Sequence, residues 1–517
     1  MKTLWRGIVC LILAIALNYT LVFNVSAHDD KEKKEEKSEP AKIDRREKSS
    51  ETYHEIAVEG KMLNYKALAG EIFIQMEKED AMGKIFYTAY TLSNSDFKNR
   101  PVTFLFNGGP GSAALWLHMG GLGPKRIEFT DDGRTLPPPV RMTSNTYTWL
   151  AFTDLVFVDP IGTGYSRGAP NEKKTNRKFY GYEQDIVSVA EFIRLYITRN
   201  DRWLSPKFLL GESYGTTRVS GLTWRLHQRF GIDLNGVLLI SPVLDFSTIL
   251  FHPSNDLPYI LFLPTYAATA WYHAVLPGGD RIPLADLLAE VEHFCLDRYV
   301  CALAMGSRMD EAARNALAKR LRAYTGLQEN FIREHRFRID WMGFTRNLLP
   351  EENKIVGRMD STKTGIEPDP TSPLPLYDPS LDPLFGPFSS AVNAYIREEL
   401  RYKEDLAYEF FNSDVTRQWD WSTGLREDQG FLMVSHTLRD ALAINRNLKV
   451  FIASGLYDLA TPYFAVEHTV NHMWLKERRE DVIIETYPAG HMMYTHREAL
   501  EKLFQDARSF YALATGN

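Results

Sequence analysis

Residues 207–215 read K-F-L-L-G-E-S-Y-G and join a short apolar run to a Gly-x-Ser-x-Gly pattern. KFLL has the composition of a buried strand, and the following TTRVSGLTWRLHQRF at 216–230 has helical spacing. A serine on a tight turn between a strand and a helix has its Oγ lifted out of the sheet, where it can act as a nucleophile. The sequence therefore predicts a strand–turn–helix unit with Ser213 at the turn.

The same pattern occurs a second time, as G-Y-S-R-G at 164–168, but in a different context. The apolar run before it ends at Asp159, a Pro-Ile-Gly-Thr-Gly loop intervenes, and the polar GAPNEKKTN follows. No helix is predicted directly after this serine. We therefore predict that Ser166 is structural and that Ser213 is the nucleophile.

Other runs along the chain share the β-branched and aromatic character of KFLL. They are VTFLF (102–106), TDLVFVD (153–159), GVLLIS (236–241), NLKVFIAS (447–454) and VIIETY (482–487). Continuous apolar runs separated by helical or loop segments are typical of strands buried on both faces of a mostly parallel sheet. Residues 56–92 predict an antiparallel hairpin at the edge of this sheet. The predicted fold class is α/β, with a mostly parallel central sheet flanked by helices.

The middle of the chain has a different sequence pattern. Helix-like segments such as LADLLAEVEHFCLDRYVCALAM and MDEAARNALAKRLRAYTGL replace the strands, and a connector rich in Pro and Asp lies at 368–387. We predict a large, mainly helical cap insertion at 255–430. It would separate a first part of the core at 53–254 from a second part at 431–517.

The N-terminus has the features of a secretory signal peptide at residues 1–27. Lys2 and Arg6 precede an apolar run, which ends in the small-residue cleavage pattern V-S-A. An uncleaved membrane anchor is the alternative, because the run approaches the length that spans a bilayer. With cleavage we expect a secreted or periplasmic protein that has no stable membrane association.

The segment that follows, at 28–52, is predicted to be a charged, disordered leader, because 16 of the 20 residues from 29 to 48 are charged. The whole chain has a net charge of −6, which becomes −8 without Lys2 and Arg6. Nucleic acid is therefore not an expected partner. The sequence leaves the oligomeric state open.

Two cysteines, Cys295 and Cys301, remain after the signal peptide. They could form a short disulfide in an oxidising compartment or stay as two buried thiols on a helix, and both possibilities remain open. Neither lies in a His or Cys array with metal-ligand spacing. No metal and no cofactor are predicted.

A serine hydroxyl needs a base to take its proton and an acid to orient that base. His491, in YPAGHMM, follows the last predicted strand, and Asp458, in SGLYDLATP, follows the strand before it. Both therefore lie at the same carboxyl edge of the sheet as the serine, in the chain order Ser, Asp, His that is typical of α/β hydrolases. Asp245 also follows a strand and is a weaker candidate for the acid.

A tetrahedral intermediate needs backbone N–H donors for its oxyanion. Residues 107–111, N-G-G-P-G, follow the strand VTFLF, and their turn offers an exposed N–H at Gly109. The N–H of Tyr214, directly after the nucleophile, is the second predicted donor. Without Ser213 the same segment would be interpreted as an ordinary Gly/Pro turn.

Five segments together resemble the serine carboxypeptidases, which are secreted α/β hydrolases with a helical insertion. The segments are FNGGPGS (106–112), VDPIGTGYS (158–166), GESYG (211–215), Asp458 and AGH (489–491). The resemblance covers roughly residues 55–515, and the combination of NGGPG with GESYG is highly specific. It implies a secreted, bacterial-like member that hydrolyses C-terminal peptide bonds. It also implies that Asn107 and Glu212 bind the C-terminal carboxylate of the substrate.

The chain departs from the family pattern at two positions. Many members carry a Glu before the Leu-Gly-Pro that follows NGGPG, as part of the carboxylate-binding network, but here Gly121 occupies that position. Leu105 stands where members often have Trp. An esterase or an acyltransferase on the same triad, and an inactive binding protein with a hydrolase fold, therefore remain alternatives to a carboxypeptidase.

The predicted chemistry needs no Lewis acid, so we expect that chelation leaves hydrolytic activity unchanged. The measurement is peptide and ester hydrolysis before and after dialysis against EDTA. A complete loss of activity that a divalent metal restores would contradict the Ser-Asp-His mechanism.

Overall fold

The computed structural model describes residues 45–76, 80–277, 282–369, 371–372, 374–423 and 430–516. The predicted signal peptide and most of the predicted leader lie outside these residues. The strands are β1 Ser49–Val58, β2 Lys61–Met76, β3 Ala81–Leu92, β4 Val102–Phe106, β5 Lys125–Ile127, β6 Met142–Ser144, β7 Asp154–Val158, β8 Arg167–Gly168, β9 Lys207–Glu212, β10 Gly236–Ile240, β11 Lys354–Val356, β12 Thr364–Ile366, β13 Lys449–Gly455 and β14 Val482–Tyr487.

A ten-stranded sheet runs through the described part of the chain in the order β1-β2-β3-β7-β4-β9-β10-β13-β14, with β8 paired to β3. Neighbouring strands from β7 to β14 are parallel, whereas β1, β2 and β3 form an antiparallel meander at one edge. The central strands β4, β7, β9 and β10 are buried along their whole length. The mostly parallel sheet predicted from the apolar runs is confirmed, and so is the antiparallel edge.

Helices cover both faces of the sheet. The α-helices are α1 Leu115–Leu117, α2 Lys173–Arg177, α3 Tyr182–Arg199, α4 Tyr214–Phe230, α5 Leu257–Leu261, α6 Leu263–Tyr272, α7 Leu284–Phe294, α8 Val300–Met305, α9 Glu311–Thr325, α10 Glu329–Glu334, α11 Trp341–Asn347, α12 Asp382–Ala394, α13 Ser413–Arg417, α14 Ser435–Ile444, α15 Tyr463–His472 and α16 Arg497–Thr515. One apolar cluster joins the sheet to α3, α4 and α14, and a second joins it to α12 and α16.

Short 3₁₀ and π segments extend or connect these helices. The π segments are His118–Leu122, Cys295–Tyr299 and Tyr395–Glu399, and the 3₁₀ segments are Trp149–Ala151, Phe246–Thr248, Gly306–Arg308, Pro350–Glu352, Lys476–Asp481 and Met493–Thr495. Within the described part of the chain, every helix is too short or too polar to cross a membrane.

The region between β10 and α14 is mainly helical, from α5 to α13, with one small hairpin of β11 and β12. Helices α5 to α11 share a third apolar cluster, which also takes in Leu456, Leu459 and Tyr463 from the segment after β13. The insertion therefore packs against the carboxyl end of the sheet. One detail differs from the sequence analysis: α12 begins at Asp382, inside the segment 368–387 that was expected to be a connector.

The folded core begins earlier in the chain than the sequence predicts. β1 begins at Ser49, before the predicted start of the folded core at residue 53, because its backbone pairs with β2 from Ser49 onward. Glu47, predicted to lie in a solvated leader, forms an ion pair with Arg199 (2.8 Å). Cys295 is buried and Cys301 is exposed, and both are free, so no disulfide joins them.

A buried ion pair ties the strands together at the edge opposite their carboxyl ends. Asp154, at the start of β7, accepts hydrogen bonds from Arg202 Nη1 (2.6 Å), Arg100 Nε (2.6 Å) and the backbone N–H of Leu92 (2.9 Å). The side chains of Asp154 and Arg202 are 1% and 2% exposed. Removing one member of such a pair leaves a buried charge without a partner.

Asp154→Ala should therefore lower the free energy of unfolding by at least about 3 kcal/mol. The control is Asp297→Ala, which removes a surface pair with Arg298 and should change that energy by less than about 0.5 kcal/mol. Urea denaturation followed by circular dichroism measures both. Equal midpoints for Asp154→Ala and the parent would contradict this role of the pair.

Candidate active site

Ser213 occupies a strained turn between β9 and α4. Its φ and ψ angles are 58° and −130°, a region that residues with a side chain rarely adopt. The glycines on either side make room for the turn: a Cβ at Gly211 would overlap the carbonyl of Gly215, and a Cβ at Gly215 would lie 2.5 Å from Phe106 O. The strand–turn–helix unit predicted around Ser213 is confirmed by β9 and α4.

His491 and Asp458 form a buried hydrogen-bonded pair. His491 Nδ1 lies 2.7 Å from Asp458 Oδ2, and the two side chains are 5% and 0% exposed. Asp458 also accepts hydrogen bonds from the N–H groups of Ala460 (2.7 Å) and Thr461 (3.0 Å) and from the Thr461 hydroxyl (2.7 Å). Because an ionised carboxylate only accepts, Nδ1 carries the proton and Nε2 is left as the basic nitrogen.

The pKa values of this pair move in the directions that an ion pair requires. Burial alone would raise the pKa of Asp458, but the charge and hydrogen bond of His491, with the Thr461 donors, hold it below its usual range. Burial alone would lower the pKa of His491, but Asp458, and to a smaller extent Glu212, raise it. Asp458 therefore stabilises the imidazolium that forms when His491 takes up a proton.

The same sheet edge carries all three residues. Ser213, Asp458 and His491 follow β9, β13 and β14, which are linked in parallel register through β10. Two hydrogen bonds connect the end of β10 to the serine and the histidine: Ser213 N–H donates to Ile240 O (3.0 Å), and Ser241 Oγ donates to His491 O (2.7 Å). No hydrogen bond between Ser213 Oγ and His491 occurs among the described residues, and in unliganded hydrolases this contact is often long.

The loop after β4 lies directly against this turn. A Cβ at Gly108 would be 2.5 Å from Tyr214 N, so the close approach of the two backbones leaves no room for a side chain at position 108. Gly109 is exposed, and within the described residues the N–H groups of Gly109 and Tyr214 donate no hydrogen bond. Two free N–H donors next to a nucleophile are what an oxyanion requires.

Glu212, directly before Ser213, is a buried carboxyl with two neutral donors. Asn107 Nδ2 donates to Glu212 Oε2 (2.8 Å), and the Tyr494 hydroxyl donates to the same oxygen (2.7 Å). Burial raises the pKa of Glu212 to about 7, although nearby His491 and the two donors oppose the shift. The carboxyl group is therefore half protonated near neutral pH.

The two other candidates from the sequence, Ser166 and Asp245, form hydrogen bonds that hold the neighbouring backbone. Ser166 Oγ is fully buried, accepts from Phe86 N–H (2.7 Å) and donates to Asp159 O (2.5 Å). Asp245 accepts from Ser247 N–H (2.9 Å) and caps the 3₁₀ segment that follows it. Asp458, and not Asp245, is the carboxylate that contacts His491.

Three residues of the site were not expected from the sequence. Thr461 supports Asp458, Tyr494 contacts Glu212, and the carbonyl of Met359, in the insertion, accepts from His491 N–H (2.6 Å). A signal existed for the first two, because both lie within three residues of a predicted catalytic residue. Met359 is far from any motif along the chain, and only the tertiary fold brings it to the site.

The mostly parallel sheet flanked by helices, with a strained serine and an Asp–His pair at its carboxyl edge, defines an α/β-hydrolase fold. The crystal structure of KEX1(delta)p, a prohormone-processing carboxypeptidase from Saccharomyces cerevisiae, is similar to it with a TM-score of 0.54 at 16% identity, over 86% of this chain and 91% of that one. This likeness concerns the fold.

Sequence comparison points to one family. Residues 60–254 match the family model described as serine carboxypeptidase. Serine carboxypeptidase-like 8 of Arabidopsis thaliana is 28% identical over 173 residues, and the lysosomal protective protein of Mus musculus is 26% identical over 200 residues. These matches cover 32% and 38% of this chain, and only 38% and 36% of the two relatives.

Ser213→Ala should abolish labelling by a fluorophosphonate probe, because only the attacking oxygen is lost. The matched control is Ser166→Ala, which should keep the labelling rate but lose about 1–2 kcal/mol of stability, since Phe86 N–H and Asp159 O lose their partner. Gel fluorescence and thermal denaturation measure the two effects. Labelling that survives in Ser213→Ala and disappears in Ser166→Ala would reverse the roles of the two serines.

Proposed function

We propose that this protein is a serine carboxypeptidase that removes C-terminal residues from peptides through an acyl-enzyme on Ser213. The observation that carries the proposal is the buried Glu212 beside Ser213, because an acid group next to the nucleophile suits a substrate that ends in a carboxylate. The match of residues 60–254 to the serine carboxypeptidase family model supports the same reading.

In the proposed mechanism, His491 Nε2 takes the proton from Ser213 Oγ as the oxygen attacks the last peptide carbonyl. Asp458 holds the imidazole in the required tautomer and stabilises its cation. The N–H groups of Gly109 and Tyr214 bind the oxyanion of the tetrahedral intermediate. His491 then donates its proton to the leaving amine, and water activated by the same base hydrolyses the acyl-enzyme.

The free carboxylate of the peptide is bound by Asn107 and Glu212 in this proposal. An α-carboxyl group has a pKa near 3.5 and is ionised over the working range. Two facing carboxylates repel each other, so Glu212 binds the substrate only in its protonated form, as a hydrogen-bond donor. With a pKa of about 7, it is available as a donor in acidic and neutral solution.

Secretion is also part of the proposal. The apolar run at 7–25 and the V-S-A pattern at 25–27 support a cleaved signal peptide and a secreted or periplasmic enzyme. The relatives named above are from eukaryotes, so the bacterial-like character stays a prediction.

An esterase or acyltransferase is the second candidate, favoured by Gly121 in place of the acid that many carboxypeptidases carry there. Probe labelling with turnover of small esters but not of peptides would indicate that class. An absence of labelling and of any turnover would instead indicate an inactive binding protein.

The pH dependence tests the carboxylate site. The ratio of kcat/KM for a blocked dipeptide acid to kcat/KM for its amide should fall as pH rises through about 7, by about tenfold per pH unit beyond the pKa of Glu212. The ratio cancels the titration of His491, which affects both substrates. In Glu212→Gln the ratio should lose most of its pH dependence, because glutamine remains a neutral donor.

Parallel profiles for acid and amide in the parent enzyme would remove Glu212 from carboxylate recognition. They would favour the esterase or acyltransferase reading.

A further inference from the structure

Tyr494 is a buried residue of the site for which the Ser-Asp-His mechanism has no use. It lies three residues after His491, in the 3₁₀ segment Met493–Thr495, and its side chain is fully enclosed. Its hydroxyl donates to Glu212 Oε2 at 2.7 Å. The ring packs against the π segment His118–Leu122, whose glycines leave the space it occupies.

The fit of the ring depends on the two glycines of that segment. A Cβ at Gly120 would lie 2.5 Å from Tyr494 Cε2, and a Cβ at Gly121 would lie 2.7 Å from Tyr494 Cβ. Both distances are shorter than real Cβ contacts. A side chain at position 121 and Tyr494 in its present place therefore exclude each other.

We propose that Tyr494 is a positioning residue of the substrate-carboxylate site, which holds the Glu212 carboxyl so that its acidic proton resides on Oε1. This inference rests on the proposed role of Glu212. The Tyr494 hydroxyl and the Asn107 amide both donate to Oε2, and Oε1 accepts no hydrogen bond among the described residues. A proton on Oε1 is therefore compatible with both donors and is free for the substrate.

The groups that face Glu212 come from three connecting segments. His491 and Asp458 lie beyond β14 and β13, Asn107 follows β4, and Tyr494 lies before α16. Burial raises the pKa of Glu212, Asp458 raises it further, and His491, Tyr494 and Asn107 lower it. The phenol itself does not titrate in the working range, because burial and Glu212 raise the pKa of Tyr494 well above its ordinary value.

A neutral, permanent donor has a consequence that a second carboxyl group would not have. A pair of facing acids releases its protons in two coupled steps, whereas Glu212 beside Tyr494 is a single titrating acid. The ratio of kcat/KM for the dipeptide acid to kcat/KM for its amide should therefore change with pH as the titration of a single proton. Removing the hydroxyl takes away one donor to the ionised carboxylate, so the pKa of Glu212 should rise and the decline of the ratio should move to higher pH.

The test is the acid-to-amide ratio of kcat/KM against pH in Tyr494→Phe, which keeps the ring over the glycines and removes only the hydroxyl. We expect the midpoint to shift upward by about one pH unit. The matched control is Tyr487→Phe, which removes a hydroxyl that donates to another carboxylate, Asp506, at 2.6 Å outside the site. Its midpoint should equal that of the parent.

The double variant Tyr494→Phe/Glu212→Gln distinguishes an effect of Tyr494 on the Glu212 carboxyl from a general disturbance of the site. With no acid to titrate, the ratio should be as flat as in Glu212→Gln alone. The acid-to-amide ratio could decline with pH in the parent and have the same midpoint in Tyr494→Phe. That result would overturn the role of Tyr494 and leave the carboxylate site intact. Parallel acid and amide profiles in the parent would overturn the carboxylate site itself, and this inference with it.

Discussion

The strained turn at Ser213 is the constraint on which the site depends. A residue with a side chain adopts φ of 58° together with ψ of −130° only where its surroundings enforce it, and here three backbone segments meet within van der Waals contact. β9 and α4 enter the turn, and the loop after β4 closes against Tyr214 N. The N–H groups of Gly109 and Tyr214, which donate no hydrogen bond within the described residues, lie on two of these segments and are the oxyanion donors of the proposed mechanism.

Two buried carboxyl groups near this turn have pKa values shifted in opposite directions for a physical reason. Asp458 accepts from a histidine ring, two backbone N–H groups and a hydroxyl, and these donors hold its pKa below the usual range despite burial. Glu212 has two neutral donors on one oxygen, and burial prevails, so its pKa rises to about 7. Environments that separate two acids in this way allow one to orient a base while the other binds an anion.

Local sequence signals were sufficient to predict the sheet and the edge of it at which Ser213, Asp458 and His491 lie. Buried strands such as β9 and β13 are continuous apolar runs, and residues that follow parallel strands meet at one edge, so the common position of Ser213, Asp458 and His491 could be predicted from the sequence. No local sequence pattern predicted the contacts between segments that are distant along the chain. The Met359 carbonyl, the ring of Tyr494 on Gly120 and Gly121, and the pairing of β1 from Ser49 each depend on tertiary packing that periodicity does not encode.

Mass spectrometry of a peptide digest tests the central claim most directly. A synthetic peptide with a free C-terminus, incubated with the enzyme, should yield a ladder of products shortened by single residues from that end, and no ladder with Ser213→Ala. Fragments from internal bonds, trimming from the N-terminus, or an intact peptide under conditions in which small esters are hydrolysed would contradict a carboxypeptidase built around Ser213 and Glu212.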